Sequence, residues 1–240
     1  MRFVTMNIHH GETLQGRLDL DRIIGLLTEW QPDVVALQEV DRRFGHRSDY
    51  ADQAADIGRA TGLAWAFGAP VRSSSGGEYG LAVLTSGRIV DAGLRRLPRL
   101  PPYEARGILR VRCEIAGDLI TVWNLHLAVF PALERLAQAI AVRRWLRRES
   151  GPIVVAGDLN ARPASLAYRM LASNLADSWV VHGGDDPGYT FRSDRPTGRI
   201  DYILTSPELI ATSTRVGEVG GASDHRAVIA ELGRTGECRY

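Results

Sequence analysis

Short apolar runs alternate with helix-spaced apolar residues from one end of the chain to the other, and that alternation restricts the fold more than any other feature. Residues 2–8 read as a first strand. Leu20, Ile23, Ile24, Leu27 and Trp30 then recur at helical spacing, with Asp19 placed to cap the first turn and Pro32 to stop the helix. Asp33-Val34-Val35-Ala36-Leu37 returns as a buried strand ending in Gln38-Glu39, and a weaker helix is expected over 52–61.

The middle third changes character. Residues 81–84, 89–94, 108–115 and 119–127 read as successive strands joined by short turns, which predicts antiparallel pairing among them. Pro131 opens a second long helix with Leu133, Leu136, Ile140 and Trp145 on one side, and 153–156 resumes a buried strand. A shorter helix near 164–172 and strands near 200–204, 212–219 and 227–232 complete the chain. Helices interleaved with strands in both halves predict an α/β protein of two packed mixed sheets with helices on the outer faces. No repeat, charge block or low-complexity linker divides it, so one domain over 1–240 is expected, with a short C-terminal tail at 233–240.

A chain of 240 residues with 45% hydrophobic content can bury one large core. It contains no apolar run long enough to span a membrane, and it opens on Arg2-Phe3-Val4 rather than on a signal-peptide stretch, so a cytoplasmic monomer is expected. Two cysteines, Cys113 in a strand-like run and Cys238 near the C-terminus, indicate no disulfide framework. A net charge of +1 argues against non-specific attraction to nucleic acid as the main design feature, without excluding a nucleic-acid substrate. All 29 basic residues are arginine, whose planar fork suits bidentate contact with phosphate wherever one lies beside a site.

Polar residues gather where the predicted strands end. Asn7 closes the first, Glu39 follows the second, His126 lies at the end of 122–126, Asp158 and Asn160 follow 153–157, Asp201 falls within 199–203, and Asp224-His225 precede the last strand. Ligands of α/β sheets bind in the crevice outside strand ends, so one shared site is expected if the strands run so as to bring these ends together. Carboxylates and amides without cysteine make a hard oxygen set suited to Mg²⁺ or Mn²⁺ rather than zinc. Such an ion neutralises a phosphoryl oxygen and stabilises a leaving alkoxide, while an Asp-His pair acts as base on water or, protonated, stabilises phosphoryl oxygens. In Gly157-Asp158-Leu159-Asn160 the i, i+2 spacing predicts Asp158 and Asn160 pointing one way and Leu159 into the core. Singly, each has a plain structural reading: an Asx turn at Asp158, a solvated strand end at Glu39, a core histidine at 126. Asp201 resists one, because an unpaired carboxylate in an apolar strand is costly.

Taken in order, Thr5-Met6-Asn7-Ile8, Leu37-Gln38-Glu39-Val40, Tyr79-Gly80-Leu81-Ala82-Val83-Leu84, Asn124-Leu125-His126-Leu127, Gly157-Asp158-Leu159-Asn160, Tyr189-Thr190-Phe191, Arg199-Ile200-Asp201-Tyr202-Ile203 and Ser223-Asp224-His225 resemble the endonuclease/exonuclease/phosphatase superfamily, also called the deoxyribonuclease-I-like fold. The resemblance runs from residue 3 to about residue 231. It implies a four-layer α/β sandwich and a divalent-metal-dependent hydrolase of phosphate esters, with Mg²⁺ as cofactor and Mn²⁺ as its substitute. It implies that Glu39 is the principal metal ligand with Asn7 beside it, that Asp158 binds or activates the attacking water, and that Asn160 holds a phosphate oxygen in the transition state. Asp224 would orient His225, and Asp201 would complete the network as a second support for His225 or the metal. Whether the histidine or the aspartate is the base stays open.

Asn124-Leu125-His126-Leu127 looks like the histidine-bearing segment of the deoxyribonuclease I, sphingomyelinase and phosphoinositide phosphatase branches, where the histidine contacts the phosphate or assists the leaving group. Abasic-site endonucleases generally lack it and carry an acidic residue where His9 stands here. Tyr79 and Arg106 are implied contacts of the substrate phosphate, though Tyr79 reads equally as a strand-start aromatic. Arg95, Arg96 and Arg99 read as a solvated rim, and Phe130 as either a substrate-facing contact or a helix staple.

A phosphodiesterase, nuclease-like or acting on a phospholipid or small-molecule phosphodiester, is therefore the leading expectation. A phosphomonoesterase of the same superfamily ranks next, then an abasic-site endonuclease and a non-catalytic binding module. A glycosidase carboxylate pair would not require the Asp-His and Asp-x-Asn arrangements. A nucleic-acid substrate calls for an arginine-lined groove and a lipid headgroup for an exposed apolar loop, of which 128–131 is the one hint.

Overall fold

Local signals set most element boundaries in the computed structural model, which describes residues 1–236. In chain order the elements are β1 (Arg2–Asn7), α1 (Leu20–Trp30), β2 (Val34–Arg42), α2 (Gln53–Thr61), β3 (Ala64–Arg72), β4 (Glu78–Thr85), β5 (Arg88–Arg96), β6 (Gly107–Ile115) and β7 (Asp118–His126), followed by α3 (Ala132–Leu146), β8 (Ile153–Asp158), α4 (Leu166–Ala172), β9 (Ala176–Asp177), α5 (Ser178–His182), β10 (Asp201–Thr205), β11 (Leu209–Gly217) and β12 (Ala227–Arg234). Asp19 caps α1 by accepting from the Arg22 N–H, and Gln31 ends it in a left-handed conformation just before Pro32. Asp52 caps α2 in the same way.

The strands form two six-stranded sheets, ordered β11-β12-β1-β2-β4-β3 and β5-β6-β7-β8-β10-β9. Each holds one parallel pair, β1 with β2 and β7 with β8, flanked by antiparallel neighbours. Strand alternation sorts the side chains into three apolar layers. Phe3, Val34, Ala36, Leu81 and Val83 of the first sheet meet Val111, Val122, Val154, Ala156 and Ile203 of the second. On its outer face the first sheet packs Val4, Met6, Val35 and Leu37 against Ile23, Leu27 and Ile57 of α1 and α2. The second packs Trp123, Leu125 and Val155 against Ala139, Val142 and Leu171 of α3 and α4. The protein is thus a four-layer α/β sandwich. Among the described residues no helix is long and apolar enough to cross a membrane.

The structure adds to or changes the sequence reading in four places. Residues 64–72 form a strand whose alternation is masked by Gly68 and Pro70, both tolerated because β3 is an edge strand. The middle strands do not form one antiparallel run: β5, β6 and β7 pair so, but β4 pairs with β2 and β3, and the chain crosses to the other sheet at Ser86-Gly87. β12 extends through Arg234, past position 233, the expected start of the tail, and Cys238 lies outside the described residues.

The fourth change concerns α3, which turns Leu133 and Ile140 outward, 69% and 49% exposed, and buries Glu134, Gln138, Ala139 and Val142. Polar partners decide this. Glu134 Oε2 accepts from Leu100 N at 2.8 Å, Gln138 Nε2 donates to the Pro98 carbonyl at 3.0 Å, and Gln138 Oε1 accepts from Ala128 N at 2.8 Å. The two side chains satisfy backbone of the loops that lead into Arg106 and out of His126, so burying them costs less than leaving those groups unpaired.

A polar bridge also joins the sheets. Gln38 Nε2 donates to Asn124 Oδ1 at 2.7 Å and to Thr5 Oγ1 at 3.1 Å, while Asn124 Nδ2 donates to the Leu37 and Ala82 carbonyls, both at 2.8 Å. Asn124→Ala would lose three buried bonds, the one to Gln38 and those to the Leu37 and Ala82 carbonyls, leaving Gln38 its bonds to Thr5 and Ala36 within its own sheet. We expect it to cost about 2–4 kcal/mol of unfolding free energy. Urea denaturation measures this, and an unchanged midpoint would mean that the bridge contributes nothing net.

Candidate active site

The inner faces of the strands end in polar residues at one edge of the sandwich. On β1 the inward series Phe3, Thr5 continues to Asn7, on β7 Val122, Asn124 continues to His126, and on β8 Val154, Ala156 continues to Asp158. The carboxyl ends of both parallel pairs lie at this edge, and antiparallel β10 starts there with Asp201. Register completes the row: His126 stands opposite Asp158 on β7, and Asp201 opposite Asp158 on β10. Gly157 permits the close pairing, since a Cβ there would sit 2.0 Å from the Leu125 carbonyl oxygen, and its φ of 133° is one that a side chain resists.

Glu39 reaches the same edge by a different device. The β2–β4 register slips between Gln38 and Val40, so Glu39 is a bulge residue inside β2 at φ 58° rather than a strand end. Outward alternation of Val35 and Leu37 resumes out of phase at Val40, and Glu39 is turned toward Asn7. Asn7 Nδ2 donates to Glu39 Oε1 at 2.9 Å and to Asp158 Oδ2 at 3.2 Å, linking acids from opposite sheets. Its Oδ1 accepts from His9 N at 3.0 Å, which leaves the amide nitrogen facing the two carboxylates.

His225 and Asp201 correct a sequence expectation. His225 Nδ1 meets Asp201 Oδ2 at 2.9 Å and Oδ1 at 3.2 Å, so Asp201, not Asp224, orients the imidazole. Asp224 is half-exposed, and its backbone carbonyl accepts from Ser193 N. Asp224 lies in the bend that precedes His225, whereas β10 delivers Asp201 to the ring. Ser223 Oγ accepts from His225 N at 3.1 Å and donates to the Asn7 carbonyl at 2.7 Å, tying the turn to β1. His225 Nε2 then faces Asp158 Oδ2 at 3.7 Å, with the Phe191 ring packed 4.8 Å from the imidazole.

His126 presents the complementary donor. Arg106 Nη1 lies 2.9 Å from His126 Nδ1, and a guanidinium can only donate, so Nδ1 accepts and the neutral ring carries its proton on Nε2. That nitrogen stands 3.5 Å from Asp158 Oδ2 and 4.0 Å from Glu39 Oε1. Burial first, then the charges of Arg106 and His225, hold His126 well below the usual imidazole range. Burial also disfavours the charged form of His225, but the Asp201 and Asp158 carboxylates outweigh it and raise that ring above its ordinary value. Asp158 is pushed up by burial, against the pull of His225.

Tyr79 and Arg106 belong to the same cluster. Arg106 pairs with Glu104 at 2.8 Å, and burial followed by the Glu39 charge raises the buried Tyr79 while the Arg106 charge opposes the rise. Asn160 departs from the expected extended geometry. β8 stops at Asp158, Asn160 is left-handed at φ 46°, and Asp158 Oδ1 accepts from its N–H at 2.8 Å as an Asx turn. Asn160 Nδ2 donates to the Leu127 carbonyl, and Leu159 is in the core as expected.

Val129 and Phe130 stand on the rim, 61% and 66% exposed, with Phe130 edge-on to Tyr103, so it is no helix staple. A surface hollow of about 200 Å³ lined by Arg143, Leu146, Leu171 and Pro207 contains none of the site residues above. Two residues gain roles that the sequence did not show: Thr190, marked there only as part of Tyr189-Thr190-Phe191, whose hydroxyl accepts from Ile200 N and Asp201 N, and His10, which lies with His9 beside Glu39. No pattern marks His10, because its burial depends on contacts with Gln53 and Glu12.

The donor set fits a hard divalent cation. Glu39 and Asp158 come from different sheets to share one amide, and burial pushes the Asp158 carboxyl above its ordinary range, a shift that a cation would reverse.

A sequence profile described as the Endonuclease/Exonuclease/phosphatase family matches residues 4–225. A Drosophila melanogaster protein described as "Putative neutral sphingomyelinase" is 27% identical over 180 residues, covering 60% of this chain. The match spans 40% of that protein, less than half its length. Among solved structures, an endonuclease/exonuclease/phosphatase from Beutenbergia cavernae superposes with a TM-score of 0.82 at 24% identity, covering 98% of this chain and 71% of that one. The Bacteroides thetaiotaomicron mannosyl-6-phosphatase gives 0.81 at 19% identity, covering 97% and 99%. At these identities the two structures speak for the fold alone.

Proposed function

The chain belongs to the endonuclease/exonuclease/phosphatase family, a hydrolase group acting on phosphate esters, and on that premise we propose that it is a divalent-metal-dependent phosphodiesterase using Mg²⁺, with Mn²⁺ as a substitute. The observation that carries this reading is the convergence of Glu39, Asp158 and two histidines of opposite protonation preference on one edge of the sandwich. Glu39, positioned by Asn7, would hold the ion with Asp158 alongside. When bound, the ion supplies charge neutralisation at a phosphoryl oxygen and at the leaving oxygen.

The chain's own residues divide the remaining work. Asp158 is the carboxylate that both histidines face, which suits it to orient water and take its proton. His126 offers a neutral Nε2–H donor to a phosphoryl or leaving oxygen, and Arg106 keeps it in that tautomer. His225, held on Asp201, presents positive charge to the phosphoryl oxygens. Tyr79 on β4 and Arg106 just before β6 would contact the ester's phosphate, and Asn160 would hold a phosphate oxygen in the transition state.

The apolar rim at Val129 and Phe130 favours an amphiphilic phosphodiester over a nucleic acid, in keeping with the sphingomyelinase description of the Drosophila relative. Initial rates on a phospholipid, a water-soluble diester, a phosphomonoester, DNA and RNA, each with Mg²⁺, Mn²⁺ or chelator, test the proposal. Diester cleavage that chelator abolishes and Mg²⁺ restores is the expected result. Cleavage indifferent to chelator, or restricted to monoesters, would overturn it.

A further inference from the structure

Beyond the acids that Asn7 bridges, Glu39 has a second set of neighbours. One ligand atom from each of His9, His10 and Glu39 lies within 4.8 Å of the others, and the two imidazole centroids are 4.6 Å apart. His10 is 8% exposed. Its Nε2 meets Glu12 Oε2 at 3.2 Å, while its Nδ1 is buried with no hydrogen-bond partner. A carboxylate on one ring nitrogen makes that nitrogen the donor and leaves the other with a free lone pair, the arrangement by which proteins orient a metal-binding histidine. A buried acceptor left unpaired is costly, so a ligand that fills it would be bound with advantage.

The backbone holds both rings in place. His9 and His10 are left-handed at φ 46° and 43°, conformations that non-glycine residues keep only under constraint. Asn7 Oδ1 fixes the His9 N–H at 3.0 Å, and Gln53 Nε2 donates to the His10 carbonyl at 2.6 Å, with Gln53 Oε1 in turn held by Asp41 N at 2.9 Å.

We propose that His9, His10 and Glu39 form a second divalent-cation site, sharing Glu39 with the ester-cleaving site and, through its two imidazole nitrogens, preferring Zn²⁺, and Mn²⁺ after it, to Mg²⁺. It rests on the proposed function only through Glu39. Occupancy of the two sites is therefore coupled through one carboxylate.

Mn²⁺ alone is the probe, titrated into the whole protein and followed by electron paramagnetic resonance. Wild type is expected to bind two Mn²⁺, with nitrogen modulation in the spin-echo spectrum. His10→Ala, and His9→Gln as a second variant that leaves the buried ring intact, should each weaken one of the two by at least about 100-fold while retaining Mg²⁺-supported hydrolysis. Asp158→Asn should retain the nitrogen-coordinated ion. A His10→Ala protein that is folded by circular dichroism and binds Mn²⁺ as wild type does would overturn the proposal. So would a single bound ion in wild type without nitrogen modulation. Two bound ions with no hydrolysis of any ester would instead refute the proposed function and leave this site standing.

Discussion

If the chain hydrolyses diesters as proposed, Asp201→Asn is expected to lower kcat by about 10³–10⁴-fold, while Asp224→Asn is expected to leave it within about threefold. The asymmetry follows from what each carboxylate touches. Asp201 holds His225 Nδ1 through both oxygens, at 2.9 and 3.2 Å, and its charge is the main force keeping that buried ring protonated. Asparagine has the same shape but accepts through one oxygen only and carries no charge. The imidazolium then loses its counter-charge, and the ring can turn so that an amide N–H meets Nδ1 and the wrong nitrogen faces Asp158. Asp224, half-exposed, contributes only a weaker field. Steady-state rates of the two variants at saturating Mg²⁺, with circular dichroism as a folding control, decide the matter. Equal losses at the two positions would refute the assignment of Asp201 as the orienting acid.

Glu39→Gln is expected to reduce kcat by about 10²–10³-fold and to raise the half-saturating Mg²⁺ concentration at least tenfold, with little change in thermal stability. Glutamine preserves the side-chain volume at the β2 bulge and can still accept from Asn7 Nδ2, so the fold keeps its local contacts. What disappears is a negative charge beside Asp158 and His126. Removing an uncompensated acid from a crowded site tends to stabilise the metal-free protein, so loss of activity would not reflect unfolding. A Mg²⁺ titration of initial rates, paired with a melting curve, separates the two effects. A wild-type Mg²⁺ dependence in this variant would exclude Glu39 as a ligand.

Much of the scaffold was legible in the residues themselves. Phe3-x-Thr5-x-Asn7 and Val154-x-Ala156-x-Asp158 carry apolar alternation that ends in a polar residue, and Asp19, Asp52 and Pro32 mark helix ends by chemistry local to each turn. Other segments misled for physical reasons. In α3 the most apolar stripe is not the buried one, since Glu134 and Gln138 are drawn inward by backbone groups some 10 to 40 positions away in the chain. Asn160 reads as the next residue of an extended strand, yet the Asp158 carboxylate closes a turn on its N–H.

Ser223-Asp224-His225 looks self-sufficient in the sequence, yet the acid that holds the imidazole arrives from β10, 24 residues earlier. Alternation, capping and residue chemistry are properties of neighbours along the chain, and they determined the α/β class, the strand ends that carry the polar residues and the hard character of the donor set. Tertiary structure alone decided which carboxylate meets which histidine, how a one-residue bulge turns Glu39 toward Asn7, and that His10 keeps a buried, unpartnered nitrogen. Those outcomes depend on register between strands distant in the chain and on which buried polar groups find partners, and neither is a property of any local segment.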